Sequence, residues 1–210
     1  MKKTIVLVTL FVMPIVVYLF FASGITNFGK LAVLTRDVAE IEFADRNVAF
    51  AGKITVLGFL GEDVAGKKGN AFNLNQKIYK RFGGFKDLQF VMVMPKGTEQ
   101  SVEDLKAQLG QLSDVSKWHF VFGEEEQIKG LFNSLGTNLS LEANLGTPYV
   151  FIIDKERILR GRDDDEDEGV KYGFDTSSVA DLNNKMEDDI KIILAEYRMA
   201  LKKNTAERAK

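Results

Sequence analysis

Three short runs constrain this chain more than anything else in it: Ile54–Leu60 (ITVLGFL), Leu88–Met94 (LQFVMVM) and Tyr149–Ile153 (YVFII). Each is almost continuously apolar, as expected of a strand buried on both faces. Helical patterns alternate with them. Phe72–Phe82 carries Phe72, Leu74, Ile78, Tyr79 and Phe82 on one face, and Ser101–Leu112 opens on Ser101-Val-Glu-Asp104, which resembles a capping box. Trp118–Phe122 reads as a further strand and Glu125–Leu135 as a further helix, and Arg157–Arg160 pairs beside Tyr149–Ile153 through a turn at Asp154–Glu156. A final helix places Val179, Leu182, Met186, Ile190, Ile193, Tyr197 and Leu201 on one stripe, while Ile41–Phe43 and Val48–Phe50 are short strand candidates around Asp45-Arg46-Asn47. Strands alternating with helices predict an α/β domain, its parallel sheet covered by helices.

Ahead of this domain, Thr4–Ala22 is apolar apart from Thr4, Thr9 and Tyr18 and is interrupted by Pro14. At a rise of ~1.5 Å per residue it spans roughly 28 Å, close to the hydrocarbon thickness of a bilayer. A cleaved signal peptide is the competing account, with Ala22-Ser23-Gly24 as its cleavage site. The length of the run and bulky Tyr18, Phe20 and Phe21 favour a single transmembrane anchor. Lys2 and Lys3 hold the N-terminus in the cytoplasm, so in a bacterium the anchor lies in the inner membrane and the domain faces the periplasm. The expected organisation is an anchor over 1–24, a juxtamembrane spacer over 25–38, a domain over 39–204 and a basic tail over 205–210. Within the domain, an acidic loop occupies 162–170 and a C-terminal helix 178–203.

The chain has no cysteine and a single histidine. That excludes disulfides, thiol nucleophiles, thiolate-bound metals, a lipoprotein acyl anchor and multi-His metal centres. The net charge is −2, and no basic stripe interleaved with aromatics marks a nucleic-acid surface.

Several segments, in this order, carry a resemblance. They are Lys53–Leu60 leading into a Gly-rich loop, Phe90–Pro95 followed by Ser101–Leu109, Trp118-His-Phe-Val-Phe-Gly123 with the helix after it, and Gly146-Thr-Pro148 before Tyr149–Asp154. From about Leu31 to Leu201 the chain resembles the Sco/SenC branch of the thioredoxin-like superfamily, membrane-anchored proteins that support copper-site assembly in cytochrome c oxidase. The resemblance implies a thioredoxin-like central sheet covered by helices, and a cis Thr147–Pro148 peptide before a core strand. It also exposes what is missing. Gly61-Glu62-Asp63-Val64-Ala65-Gly66-Lys67-Lys68 stands where the family places a Cys-x-x-x-Cys pair, and Gly146 is nearest to the family's metal-binding histidine.

Four constellations are candidates for chemistry. Gly61-x4-Gly66-Lys67 begins like a phosphate-binding P-loop and Tyr149–Asp154 ends a strand in an acid. Lys68 nevertheless occupies the hydroxyl position, and Gly69-Asn70 is expected to delay the helix. Met92 and Met94 form a soft thioether pair able to suit Cu(I), or simply fill the core. His119 has no placeable partner. Asp163–Glu168 is either a solvated mobile loop, a Ca²⁺ cluster or a contact for a basic partner. The expected protein is non-catalytic and cofactor-free, with a partner-binding surface of Glu62, Asp63, Lys67, Lys68, Thr147 and Pro148. By resemblance its partner belongs to respiratory-chain or cytochrome oxidase machinery. A Met-based copper or Ca²⁺-binding periplasmic protein is the alternative, and a P-loop-like nucleotide binder the remote one.

Overall fold

The computed structural model of the chain describes residues 9–17, 30–44 and 48–208, with side chains up to residue 200. Residues 9–17 form a helix, α1, whose Leu10, Phe11 and Met13 are exposed. Among the described residues no helix is long and apolar enough to cross a membrane. Most of the anchor expected over 1–24 lies outside them.

The central sheet runs β1 (Ala32–Thr35), β6 (Leu159–Asp165), β5 (Gly146–Ile153), β2 (Ile54–Leu60), β3 (Leu88–Pro95), β4 (Trp118–Gly123). β2, β3 and β4 are parallel, whereas β2–β5, β5–β6 and β6–β1 are antiparallel, so the sheet is mixed rather than parallel throughout. The parallel half is where helices α2 (Lys68–Leu74), α3 (Lys80–Phe82) and α4 (Glu99–Gly110) supply the crossovers. The antiparallel half turns tightly at Asp154–Arg157, where the Asp154 carboxylate accepts from the Glu156 and Ile158 amides at 3.0 Å each. Every residue of β2 and β3 is buried, as their apolar runs require.

Two apolar layers sandwich the sheet. Val56, Phe90, Met92, Val150 and Ile152 meet Leu74, Ile78, Leu105, Ile190 and Ile193 on one side. Leu57, Phe59, Val91 and Phe151 meet Ile128, Leu131 and Phe132 of α5 (Glu125–Ser134), together with Val38, Ile41 and Phe50, on the other. This α/β arrangement fits the thioredoxin-like expectation.

Several local expectations are corrected. α2 starts at Lys68, so Gly69 and Asn70 lie inside the helix and do not delay it. α2 and α3 are joined through a π turn at Asn75–Tyr79, and α6 (Val179–Asp181) and α7 (Glu187–Arg208) through another at Leu182–Met186, the two turns lying against each other. α7 runs past 203 into the stretch expected as a basic tail. α4 starts at Glu99, two positions ahead of the expected start; Thr98 holds the N-cap position without a side-chain cap bond, and Ser101 falls within the helix. α5 carries the capping box instead, through Glu124 and Gln127. Ile41–Phe43 and Val48–Phe50 are not strands: the Glu40 carboxylate takes the amides of Ile41, Phe50 and Ala51 and closes the segment as a loop. Asp45–Asn47 lie outside the described residues. The spacer expected over 25–38 contains β1, which pairs with the otherwise open edge of β6.

The expected acidic loop 162–170 is a hairpin, with β6 turning into β7 (Gly169–Lys171) and β8 (Phe174–Asp175) following. Asp165, Asp167 and Glu168 are paired with cations, one of them, Lys185, from outside the hairpin, and the hairpin's own Lys171 and Arg162 reach out to Asp181 and Asp189. Lys185 meets Asp165 and Asp167 at 2.7 Å each, Lys171 meets Glu168 at 2.5 Å and Asp181 at 3.2 Å, and Arg162 meets Asp189 at 2.8 Å.

Candidate functional site

β2 delivers the chain to a compact loop at the end of the sheet. Gly61 has φ +71, and a Cβ there would sit 2.5 Å from the Asn144 carbonyl oxygen and 2.6 Å from the Gly146 amide nitrogen. Only glycine fits so close an approach at positive φ. The Glu62 amide then donates to the Asn144 carbonyl at 2.9 Å. Val64 is driven into the core, at 2% exposure, and anchors the loop from below. The Asp63 carboxylate folds back to accept from the Gly66 amide at 2.9 Å, and the Asp63 carbonyl accepts from the Lys67 amide. Lys67 reaches across to Glu142 at 2.6 Å, while the Glu142 amide donates to the Gly146 carbonyl at 2.7 Å. Two loops far apart in sequence are thereby stapled together.

The six expected surface residues divide into three groups. Glu62 and Asp63 are exposed. Lys67 and Lys68 are partly covered, Lys67 by its ion pair and Lys68 by lying 5.4 Å from the Phe72 ring centroid. Thr147 is buried and Pro148 half-buried, so these two support the loop from beneath more than they extend it.

The Thr147–Pro148 peptide is trans, contrary to the expectation of a cis bond. Trans is the lower-energy form even before proline, and β5 begins at Gly146, so the backbone runs extended through both residues. The Pro148 carbonyl is fixed by the Thr176 amide at 2.9 Å and the Thr176 hydroxyl at 2.5 Å. A cavity of about 10 Å³ lies between Leu60, Asn70, Ala71, Met92, Thr147 and Thr176. That is room for about one water.

The remaining candidates take up structural positions. Met92 and Met94 are 1% and 0% exposed, and the Met92 sulfur would lie 2.8 Å from a Cβ on Gly58. Both thioethers fill the core. In the P-loop-like stretch the Gly66 amide, which in a phosphate loop faces the anion, is occupied by Asp63, and Lys67 is engaged by Glu142. His119 is half-buried on the edge strand β4, and burial, assisted by the charge of Lys53, pushes its imidazole below the usual histidine range. Among the described residues no group of three or more His, Asp or Glu side chains has metal-holding geometry.

Sequence reasoning misses the buried polar network along β6. Arg160 is 5% exposed and donates to Asp154 at 2.9 Å, Glu196 at 2.9 Å and the Leu31 carbonyl at 2.8 Å. It ties β1, the β5–β6 turn and α7 into one unit. The one available signal is an Arg-x-Arg pair inside a strand, whose hydrogen-bond partners, Asp154 aside, lie 23 or more positions away.

Neither a protein-family model nor a curated protein matches the chain. Solved structures do. A SCO1/SenC family lipoprotein from Bacillus anthracis str. Ames is 19% identical, with a TM-score of 0.51, over 82% of this chain and 99% of its own. BsSco, a member of the Sco family of cytochrome c oxidase assembly proteins, is 11% identical, with a TM-score of 0.51, over 76% of this chain and 92% of its own. At these identities the likeness is one of fold, and the fold is the thioredoxin-like one that the order of segments predicts.

Proposed function

We propose that this chain is a non-catalytic, membrane-anchored thioredoxin-like protein that binds a protein partner through the loop Gly61–Lys68. The observation that carries the reading is the closure of that loop. It has no thiol to exchange, its Gly66 amide is taken by Asp63, and its Lys67 is taken by Glu142. The exposed pair Glu62 and Asp63, with Lys68 partly exposed beyond them, presents charge without redox capacity. The anchor over 1–24 rests on the apolar run Thr4–Ala22, which with Lys2 and Lys3 sets the domain in the periplasm of a bacterial inner membrane. The partner class, respiratory-chain or cytochrome oxidase assembly machinery, rests on the fold shared with BsSco, and fold by itself does not fix function.

The test is affinity isolation of the C-terminally tagged full chain from membranes in mild detergent, with metal measured on the same sample. The expected result is a stable complex with a respiratory or assembly protein that is lost in Glu62→Lys/Lys68→Glu. Stoichiometric copper or calcium on an uncomplexed protein overturns the reading.

A further inference from the structure

At the opposite end of the sheet, where β2 and β3 begin, lies a concavity of about 250 Å³ that shares no residue with the candidate site. Its floor is apolar: Ile54 and Leu194 are 2% and 6% exposed. Its walls are two rings, Phe85 and Tyr197, and its lip carries Lys86 and Arg198. Phe85 is 41% exposed, so its ring is open to contact from solvent. The walls are held in place. The Phe85 amide donates to the Phe82 carbonyl at 2.9 Å, and its carbonyl accepts from the Lys117 ammonium. The Tyr197 hydroxyl meets the Glu156 carboxylate, and the Lys155 ammonium lies 5.3 Å from the ring centroid.

Around this apolar seat positive charge accumulates. Asp87 is the one carboxylate of the lining, and it is held below the usual carboxylate range first by its hydrogen bond from Lys155, with burial opposing and the fields of Lys155, Lys53 and Lys86 adding to the effect. The Lys117 ammonium is pushed down by burial and then by Lys53, although Asp87 and Asp114 oppose this. Of the nearby acids, Asp87 is paired with Lys155 at 2.6 Å, while Glu156 and Asp114 keep their charge and accept from the Tyr197 and Ser116 hydroxyls. Lys53, Lys86 and Arg198 form no ion pair among the described residues.

We infer that this groove docks an acidic segment of a partner protein. One bulky apolar side chain sits between Phe85 and Tyr197, and flanking carboxylates meet Lys53, Lys86 and Arg198. About 250 Å³ is below the roughly 300–1,000 Å³ of drug-sized sites, and suits one aromatic anchor of a peptide. A bilayer is a poorer fit, because insertion needs a protruding apolar face and here the floor is recessed between two rings. Charge on the rim gives the partner its sign and speeds its arrival, and the buried anchor supplies retention.

The test is fluorescence anisotropy of the full chain in non-ionic detergent with three labelled peptides: one Phe flanked by Asp and Glu, the same peptide with Gly for Phe, and the same Phe flanked by Lys. Saturable binding of the acidic Phe peptide is expected. It should fall about tenfold or more with Gly for Phe, in Phe85→Ala, and in Lys53→Glu/Lys86→Glu. Both sets of substitutions lie on exposed or half-exposed side chains, and far-UV circular dichroism confirms folding. Equal binding of the Lys-flanked peptide, or binding indifferent to both variants, overturns the inference. So does association with phosphatidylglycerol vesicles that falls in Phe85→Ala and in Lys53→Glu/Lys86→Glu, which an anchor alone would not show, or self-association of the chain abolished by the same substitutions. The inference does not rest on the loop surface Gly61–Lys68, and either can fail while the other stands.

Discussion

Gly61 shows what a single residue decides here. Its positive φ and the absence of a Cβ let β2 end hard against the backbone of Asn144 and Gly146, and the Glu62 hydrogen bond follows from that approach. Gly52 offers a control: its φ is +78, and nothing lies within 4 Å of its missing Cβ. Alanine at either site incurs the conformational strain of the left-handed region, about 1–2 kcal/mol. At Gly61 it also meets backbone atoms that cannot rotate away, so Gly61→Ala is expected to cost about 2–4 kcal/mol and Gly52→Ala about 1 kcal/mol. Urea unfolding of the two variants measures the difference. Equal losses would mean that the two stapled loops yield, and that the closed geometry at the candidate site is soft.

At the scale of elements, the hairpin β6–β7 carries its charges through contacts that no local pattern announces. Asp165 is almost fully buried, and burial alone raises its carboxyl; the Lys185 ammonium and the Asp167 and Glu168 amides outweigh that and hold it below the usual range. A folded value below the unfolded one, about 3.9, means that its contribution is fully present above that pH and is lost as pH falls through the folded value. Lys185→Met leaves the buried carboxylate with its two amides and a distant Arg162 at 3.7 Å. A loss of about 1–3 kcal/mol is expected at neutral pH. The gap in urea midpoint between variant and wild type should close as pH falls below about 4; a gap that persists would locate the effect in packing rather than charge. The same contrast explains what the sequence reveals. β2, β3 and β5 are legible because burial on both faces writes a continuous apolar run. β1 and the hairpin are defined by what they pair with, and Ala32–Thr35 or Asp163–Glu168 carry no such mark. At the candidate site the Gly-rich loop stands out by composition. Its closure depends on Glu142, 75 positions from Lys67, and on an Asp63 contact that only the folded turn creates.

Across the whole molecule, the decisive question is where the folded unit begins. A boundary at residue 39 treats everything before it as tether, but the structure draws that stretch into both layers of the sandwich. Leu31 joins the core on one face and Val38 on the other, at 6% and 0% exposure. Thr35 donates to the Leu135 carbonyl at 2.6 Å at the end of α5, and the Val38 amide donates to the Arg157 carbonyl at 3.0 Å. β1 also covers the outer edge of β6, and the Leu31 carbonyl satisfies the buried Arg160 guanidinium. Cutting at 39 therefore removes two buried apolar side chains, each worth about 1.5–3 kcal/mol. It also leaves a strand edge open to pairing with another chain and strips an acceptor from a buried cation. A chain starting at residue 30 keeps all of these contacts. The expected outcome is a cooperative urea transition for residues 30–210, and for residues 39–210 a transition weaker by at least about 3 kcal/mol or concentration-dependent aggregation in light scattering. Indistinguishable transitions would return β1 to the role of tether. A large difference would mean that any anchor ahead of residue 30 is coupled to the domain through a strand of its own sheet, which fixes how the loop Gly61–Lys68 is presented relative to the chain's entry point.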